Sequence, residues 1–393
     1  MSIDATICQQ AVHIRHRLHR IPELGYKEFK TAAVIRGELD RLGISYVAGV
    51  PDAPTATVAM IGKSSGPCVA LRADIDALPI LERTGLEYAS EHAGVMHACG
   101  HDGHSATLLG TAAALKKIEN ELDIGVKLIW QPAEEGGGGA LKLVNAGVLD
   151  GRLGPEVSAV FGLHGWPGMP VGTVGTKAGP LLAATDNFAV RFVGKGCHGA
   201  YPQMGRDPIV TAAEAVVNLQ MVVSREVDPT DSVVVTVGKI NGGSGTNIIP
   251  DEATIEGTAR TLTPESRRLV QQAIRRRVEH VAMANGCTAD FSWMDGYPPT
   301  INDPAMSDYV RAVSDKVLGA DRFIPIGRAS MGGEDFAYYL EKKPGCFFLV
   351  GVQPDRERSY PPLHSDRYDF TDGAMDVGMT MFLGLVKNWG RKD

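Results

Sequence analysis

The chain has 393 residues, 44% apolar and 22% charged, with a net charge of −7, which fits a folded protein of two or three domains and excludes dominant disorder. Its 39 basic residues against 46 acidic ones give no basic surface for nucleic acid or an anionic membrane. The charge-free stretch 157–176 has the length of a bilayer span, but its glycines, two prolines and His164 read as a buried strand with turns.

The opening residues show no secretory signal, and the six cysteines, at 8, 68, 99, 197, 287 and 346, form no Cys-x-x-Cys pair. Reduced thiols and a cytoplasmic setting are expected. The first helix carries His13, His16 and His19 with interleaved arginines on one face, read as a solvated surface. Residues 32–42 form an amphipathic helix closed by Gly43. Residues 55–61 and 68–75 read as strands. Between them Gly62-Lys63-Ser64-Ser65-Gly66 fits the nucleophile-elbow pattern, but a strand on either side makes it a hairpin turn. Residues 105–122 form a helix with Ser105 as N-cap, and 125–130 and 157–163 are buried strands. Strands alternating with helices predict an α/β layer with a largely parallel sheet.

The middle of the chain reads as strand 187–193, helix 207–227, strands 232–240 and 253–261, helix 264–285 opened by Pro264, and strand 288–293. That β-α-β-β-α-β order is a ferredoxin-like unit of about 110 residues. Within it, Gly194 to Gly199 fits G-x-G-x-x-G, but Ala200-Tyr201-Pro202 starts no helix, so a dinucleotide site is not expected. Helices 304–318, 334–341 and 372–389 and strand 347–350 then resume the α/β pattern. The expected organisation is one α/β domain, 1–184 and 296–393, interrupted by an insertion at 185–295.

Four of the eleven histidines fall between positions 92 and 104. Cys99-Gly100-His101-Asp102 follows the acidic strand end Arg72-Ala73-Asp74-Ile75-Asp76, and ligand sites in open parallel sheets form beyond such ends. Cys99 and His101, two apart in a glycine-flanked loop, can face one point. Thiolate and imidazole are good zinc ligands, although a buried thiol with surface histidines fits the same pattern. The next strand ends in Gln131-Pro132-Ala133-Glu134-Glu135-Gly136. On its own this pair fits a solvated turn. Beside the cluster, one carboxylate can ligate while the other stays free. His164 ends a further strand, and His364 stands in Pro361-Pro362-Leu363-His364. Cys99, His101, Glu135, His164 and His364 make five ligands. One metal needs three or four, so five suggest two divalent ions bridged by Cys99. Such a pair activates water and polarises a carbonyl, and Glu134 takes the general-base role.

Further segments carry a resemblance: Ile21-Pro22-Glu23-Leu24-Gly25, Asp76-Ala77-Leu78-Pro79, Gly194 to Pro202, Asn247-Ile248-Ile249-Pro250, Gly257-Thr258-Ala259-Arg260, Gly296-Tyr297-Pro298-Pro299-Thr300 and Gly332-Gly333-Glu334-Asp335-Phe336. With the two clusters above, they make the chain resemble, over nearly its whole length, the metal-dependent amidohydrolases of the peptidase M20 family. The subgroup is that of hippurate hydrolases, N-acyl-amino-acid amidohydrolases and auxin-conjugate hydrolases. The resemblance implies an α/β, two-metal, aminopeptidase-like catalytic domain with an inserted ferredoxin-like dimerisation and lid domain, in a homodimer or tetramer. It carries over Cys99, His101, Glu135, His164 and His364 as ligands of two ions (zinc, manganese, cobalt or nickel) and Glu134 as base. It also implies His198 as an oxyanion donor reaching the partner subunit's site, Asn247 and Arg260 as holders of the substrate carboxylate, and Asp76 as the residue that orients a ligand from behind. The subgroup has Gly where Cys197 stands and His where Gln203 stands, departures that bear on substrate preference. The expected reaction is hydrolysis of the amide of a small N-acyl amino acid. The rivals are a dipeptidase, an N-acetyl-diaminopimelate deacetylase, a non-catalytic metal- or peptide-binding protein, and a hydrolase with Cys99 as nucleophile.

Overall fold

The computed structural model describes residues 3–354 and 359–390. In chain order it opens with α1 (Ala5–Arg20), α2 (Phe29–Leu42), β1 (Tyr46–Val50), β2 (Ala53–Gly62), β3 (Cys68–Asp74), α3 (His101–Lys117), β4 (Gly125–Gln131), α4 (Gly139–Ala146), β5 (Ala159–Pro170) and β6 (Val174–Gly175). Next come β7 (Gly179–Leu182), β8 (Ala184–Val193), β9 (Cys197–His198), α5 (Pro208–Met221), β10 (Val233–Gly242), β11 (Ile248–Ile249), β12 (Glu252–Thr261), α6 (Pro264–Ala284) and β13 (Thr288–Met294). The chain finishes with β14 (Thr300–Asn302), α7 (Pro304–Val317), α8 (Ala337–Leu340), β15 (Gly345–Gln353) and α9 (Gly373–Asn388). Two compact units result. One holds Met1–Gly179, Ile301–Gly327 and Asp335–Asp393; the other holds Pro180–Thr300 and Arg328–Glu334.

The first unit is built on a seven-stranded sheet of order β1-β2-β4-β3-β5-β15-β6. Its four central strands, β4, β3, β5 and β15, run parallel, and the outer pairings are antiparallel. From β3 the chain moves one way to β4, then back past β3 to β5. Right-handed crossovers place α3 and α4 on opposite faces and leave a crevice at the carboxyl ends of β3 and β5. Helix α3 lies between the sheet and α1 and α9. Its residues 101–115 are all buried, as a helix covered on every side requires.

The second unit is a four-stranded antiparallel sheet of order β10-β12-β8-β13, the strand order of a ferredoxin-like fold. Burial alternates along β8. Phe188, Val190 and Phe192 join Leu219 of α5 and Ile274 and Val278 of α6 in a core of their own. Asp186, buried at the start of β8, is gripped by Arg267 at 2.8 and 2.6 Å.

Four local expectations are corrected. Strands β2 and β3 do not pair, because β4 inserts between them, so Gly62–Gly66 is a crossing turn and not a hairpin. Helix α3 starts at His101 with Gly100 as its cap, four residues before the expected Ser105. Ser105 instead donates its hydroxyl to Asp74 O at 2.9 Å. The helix expected at 334–341 shrinks to α8, because Asp335 is held outside it by Arg72, Gln131 and the Ala140 N–H. Finally, the His/Arg face of α1 is not a solvated surface. His13 is exposed, but His19 and Arg15 are fully buried.

That last difference has an electrostatic origin. Arg15 pairs with Asp102 at 3.1 Å and with Asp369 and Asp372, and His19 Nδ1 lies 2.8 Å from Asp102. Burial alone raises Asp102, but the charges of His19 and Arg15 hold it far below the usual carboxylate range. Burial lowers His19, yet Asp102 outweighs it and lifts His19 to about 9.

Two outcomes follow. Arg15→Met removes the buried cation shared by three carboxylates and is expected to lower stability by about 3–5 kcal/mol, read from denaturant unfolding; an unchanged midpoint refutes the network's role. His19 is protonated in the folded state up to about 9 but only to about 6.5 when unfolded. Its contribution is present below the unfolded value and is lost as pH rises through the folded one. Stability of the native chain therefore falls more steeply over that window than stability of His19→Gln, and parallel curves contradict the assignment.

Candidate metal centre

Five segments of the first unit converge beyond the parallel strand ends, one of them the Cys99–His101 turn that opens α3. β3 runs on to Asp76, β4 runs on to the turn 132–135, β5 carries His164, and a loop before α9 carries His364. Cys99, His101 and His164 offer ligand atoms within 4.8 Å of one another, and so do Cys99, Glu135 and His364. Cys99 belongs to both groups, as a donor shared by two ions must. Cys99 Sγ lies 3.3 Å from His164 Nε2, and His364 Nε2 lies 3.2 Å from Glu135 Oε1. One ion at about 2.0–2.3 Å from each donor fits such spacings.

The hydrogen bonds fix which atoms face the centre. His164 Nδ1 lies 2.8 Å from the Gly165 carbonyl, which can only accept. Nδ1 therefore carries the proton and Nε2 offers its lone pair toward Cys99. His101 Nδ1 faces Asp76 Oδ1 at 3.3 Å, while its buried Nε2 makes no hydrogen bond and lies 3.7 Å from Asp74. A carboxylate behind one ring nitrogen and an unpartnered nitrogen in front is the usual dress of a metal-ligating imidazole. Asp76 also accepts the Glu134 N–H at 3.0 Å and the Glu135 N–H at 2.9 Å, so one side chain anchors the histidine and both glutamates.

The charges are lopsided. Burial pushes the Cys99 thiol well up, and Glu135, Glu134 and Asp74 push it further. Burial disfavours protonation of His101, yet Asp74, Asp76 and Glu135 together raise it to about 10. His164 is held neutral first by burial and then by His104. Cys99, His101 and His164 are buried, Glu135 is partly so and His364 is exposed; beside the carboxylates, this thiol and the three imidazoles fit two divalent ions.

Asp74, Arg72, His104 and Asp335 have no place in the sequence-based site. Arg72 joins Asp74 at 2.7 Å, Asp335 at 2.9 Å and Gln131 at 2.8 Å, all buried. The Gly165 N–H donates to His104 Nε2 at 2.8 Å, so His104 donates through Nδ1 to Asp74 at 2.7 Å. Arg72 and Asp74 sit two apart on a strand and share a face, a signal present in the sequence. Asp335 comes from too far along the chain to be seen there.

The other three expected site residues lie in the second unit. His198 and Asn247 are neighbours: β9 pairs with β11, and the Gly199 N–H donates to Asn247 O at 2.7 Å. His198 is exposed, and its Nδ1 accepts the Ala200 N–H at 3.0 Å, which leaves the proton of a neutral ring on Nε2. Arg260 is half-buried on β12. It donates to Thr258 Oγ1 and to Ala259 O, and it makes no ion pair among the described residues.

Parallel-strand crevice and paired ligand groups together define a two-metal hydrolase centre. The family model for peptidase family M20/M25/M40 matches residues 70–388, and the chain belongs to that family. An N-acetyl-L-cysteine deacetylase of Bacillus subtilis strain 168 is 46% identical, over 92% of this chain and 85% of its own. An Arabidopsis thaliana protein named IAA-amino acid hydrolase ILR1-like 4 is 41% identical, over 96% and 85%. A crystal structure of a Bacillus subtilis protein, described as a dinuclear metal-binding peptidase of the M20 family, superposes with a TM-score of 0.85 at 37% identity, over 98% of both chains.

Cys99→Ser is expected to bring metal content, measured by elemental analysis after equilibrium dialysis, clearly below two ions per chain. Full occupancy in that variant removes the thiol from the ligand set.

Proposed function

We propose that this chain is a metal-dependent amidohydrolase that cleaves the amide bond of N-acyl amino acids, of hippurate or N-acetyl type, to a carboxylic acid and a free amino acid. The observation that carries the reading is the Glu134-Glu135 pair. Both backbone amides rest on Asp76, yet Glu135 groups with Cys99 and His364, while Glu134 stands outside both Cys99 groups and lies beside them, grouped with His101 and Glu135. A binding protein has no need of a second, buried carboxylate beside its ligands.

Cys99, His101, Glu135, His164 and His364 would hold the two ions, Cys99 being the ligand common to both groups. When bound, divalent ions would supply Lewis acidity toward the acyl carbonyl and toward water. Glu134 takes the proton of the attacking water and delivers it to the leaving amine nitrogen. His198 donates its Nε2–H to the developing oxyanion of the partner subunit's reaction. Arg260, which pairs with no carboxylate among the described residues, and Asn247 hold the carboxylate of the amino acid. The mixed S, N and O donors suit zinc, manganese, cobalt and nickel.

The chain acts as a homodimer on this reading. β10 is an edge strand with Val234 and Ile240 exposed. On α5, exposed Val210, Val217 and Met221 fall on one stripe. An uncovered edge and an apolar stripe on the same unit favour a second copy. Six free cysteines suit the reducing cytoplasm, and no described helix is long and apolar enough to cross a membrane.

Glu134→Gln is expected to lower kcat on N-acetyl and N-benzoyl amino acids by at least about a thousandfold, with two ions per chain retained. Turnover near the native rate in that variant refutes Glu134 as the base.

A further inference from the structure

The segment Ile21–Gly25 was marked by its sequence, and the stretch 23–28 that overlaps it has no part in the chemistry above. In the structure it lies against the turn that carries Glu134. Ala133, directly before Glu134, has φ +53°, the left-handed region that a non-glycine residue adopts only when its surroundings hold it there. Its N–H donates to Glu28 Oε1 at 2.9 Å, and the Thr55 hydroxyl of β2 donates to Glu28 Oε2 at 2.7 Å. Glu28 is fully buried. The N–H groups of 133, 134 and 135 are thus all taken by carboxylates, the first by Glu28 and the next two by Asp76.

The far side of the turn is held as well. Tyr26, itself at φ +62°, donates its hydroxyl to Gly137 O at 2.7 Å. Added Cβ atoms at Gly25 and Gly137 would stand 3.0 and 2.6 Å from the Ala133 Cβ, so both glycines are needed to let the methyl seat between them. The segment is fixed in turn to the β3 end, where the Ala77 N–H donates to Glu23 O at 2.8 Å. The Glu23 carboxylate accepts the Thr31 N–H at 2.9 Å and its hydroxyl at 3.1 Å.

We infer that Glu28 and Tyr26 are positioning residues for the hydrolytic reaction: they clamp the 133–137 turn in its left-handed conformation and so aim the Glu134 carboxylate. The inference rests on the reading of Glu134 as base. Ala133 needs an acceptor at Oε1, not a charge. Burial pushes Glu28 up to about 7, and both its ionised and neutral forms present that acceptor. A glutamine presents it too, while its amide faces a hydroxyl able to accept.

The test is steady-state kinetics on an N-acetyl amino acid, with metal analysis and thermal unfolding, for the metal-loaded Glu28→Ala, Glu28→Gln, Tyr26→Phe, Glu28→Ala/Tyr26→Phe and Glu134→Gln enzymes. Glu28→Ala is expected to lose about tenfold or more in kcat with KM within about twofold and two ions retained. Glu28→Gln regains most of that kcat, and the double variant loses less than the product of the single losses, as residues acting on one turn do. Native kcat in Glu28→Ala overturns the inference, as does an equal loss in Glu28→Gln or a loss that follows metal content. If Glu28→Ala does not fold, Tyr26→Phe decides: lowered kcat at unchanged KM supports the clamp, and native kcat overturns it. An active Glu134→Gln refutes the base assignment itself. An inactive Glu134→Gln beside a fully active Glu28→Ala refutes only the clamp.

Discussion

Negative charge buried at the ends of parallel strands is the constraint on which this molecule depends. Asp74, Asp76 and Glu134 are buried and Glu135 nearly so, all within one small volume. Two like charges about 4 Å apart repel by about 4 kcal/mol at an effective dielectric of 20, so an uncompensated cluster would consume much of a domain's net stability of about 5–15 kcal/mol. Every feature of the first unit around these side chains supplies positive charge or donors. Asp74 has Arg72 and His104, and Asp76 has two backbone amides. The remaining deficit falls where Cys99, His101, Glu135, His164 and His364 gather, the set proposed above to hold divalent ions.

The buried arginines belong to the same scheme. Arg72 ties β3 to Gln131 at the end of β4 and to Asp335, and Asp335 takes the Ala140 N–H near the start of α4. Arg15 and His19 neutralise Asp102, the residue after His101 on α3. These contacts sit one layer behind the candidate ligands and hold the strand ends and helix start in register. Among the candidate ligands His164 stays neutral, while the surrounding carboxylates raise His101 and Glu135 pairs with His364. Stabilising the fold and preparing the centre are one arrangement of charges.

Much of this was legible because parallel sheets collect ligands at one end. Cys99 and His101 are two residues apart, and Glu135, His164 and His364 lie far from them in sequence; they stand at a helix start, on a strand, or in a turn or loop, and the groups around Cys99 unite all five. The α/β and ferredoxin-like patterns were legible from hydrophobic period and strand order. The errors were those of partners distant in sequence. A His/Arg face on α1 looks solvated until Asp102, Asp369 and Asp372 close on it. A turn between two strands looks like a hairpin until a third strand inserts. Helix α3 starts early because left-handed Gly100 replaces the side-chain cap that local preference favours. The grip of Glu28 on Ala133, 105 residues away, leaves no local trace at all.

The central claim is that the strand-end cluster holds two divalent ions and shares the Cys99 thiolate between them. Titrating the metal-free chain with cobalt(II) while recording its near-ultraviolet and visible absorption tests this most directly. The account predicts two bound equivalents, with a thiolate-to-cobalt charge-transfer band that keeps changing through the second equivalent and is missing in Cys99→Ser. A single equivalent, or a two-equivalent spectrum without that band, contradicts it.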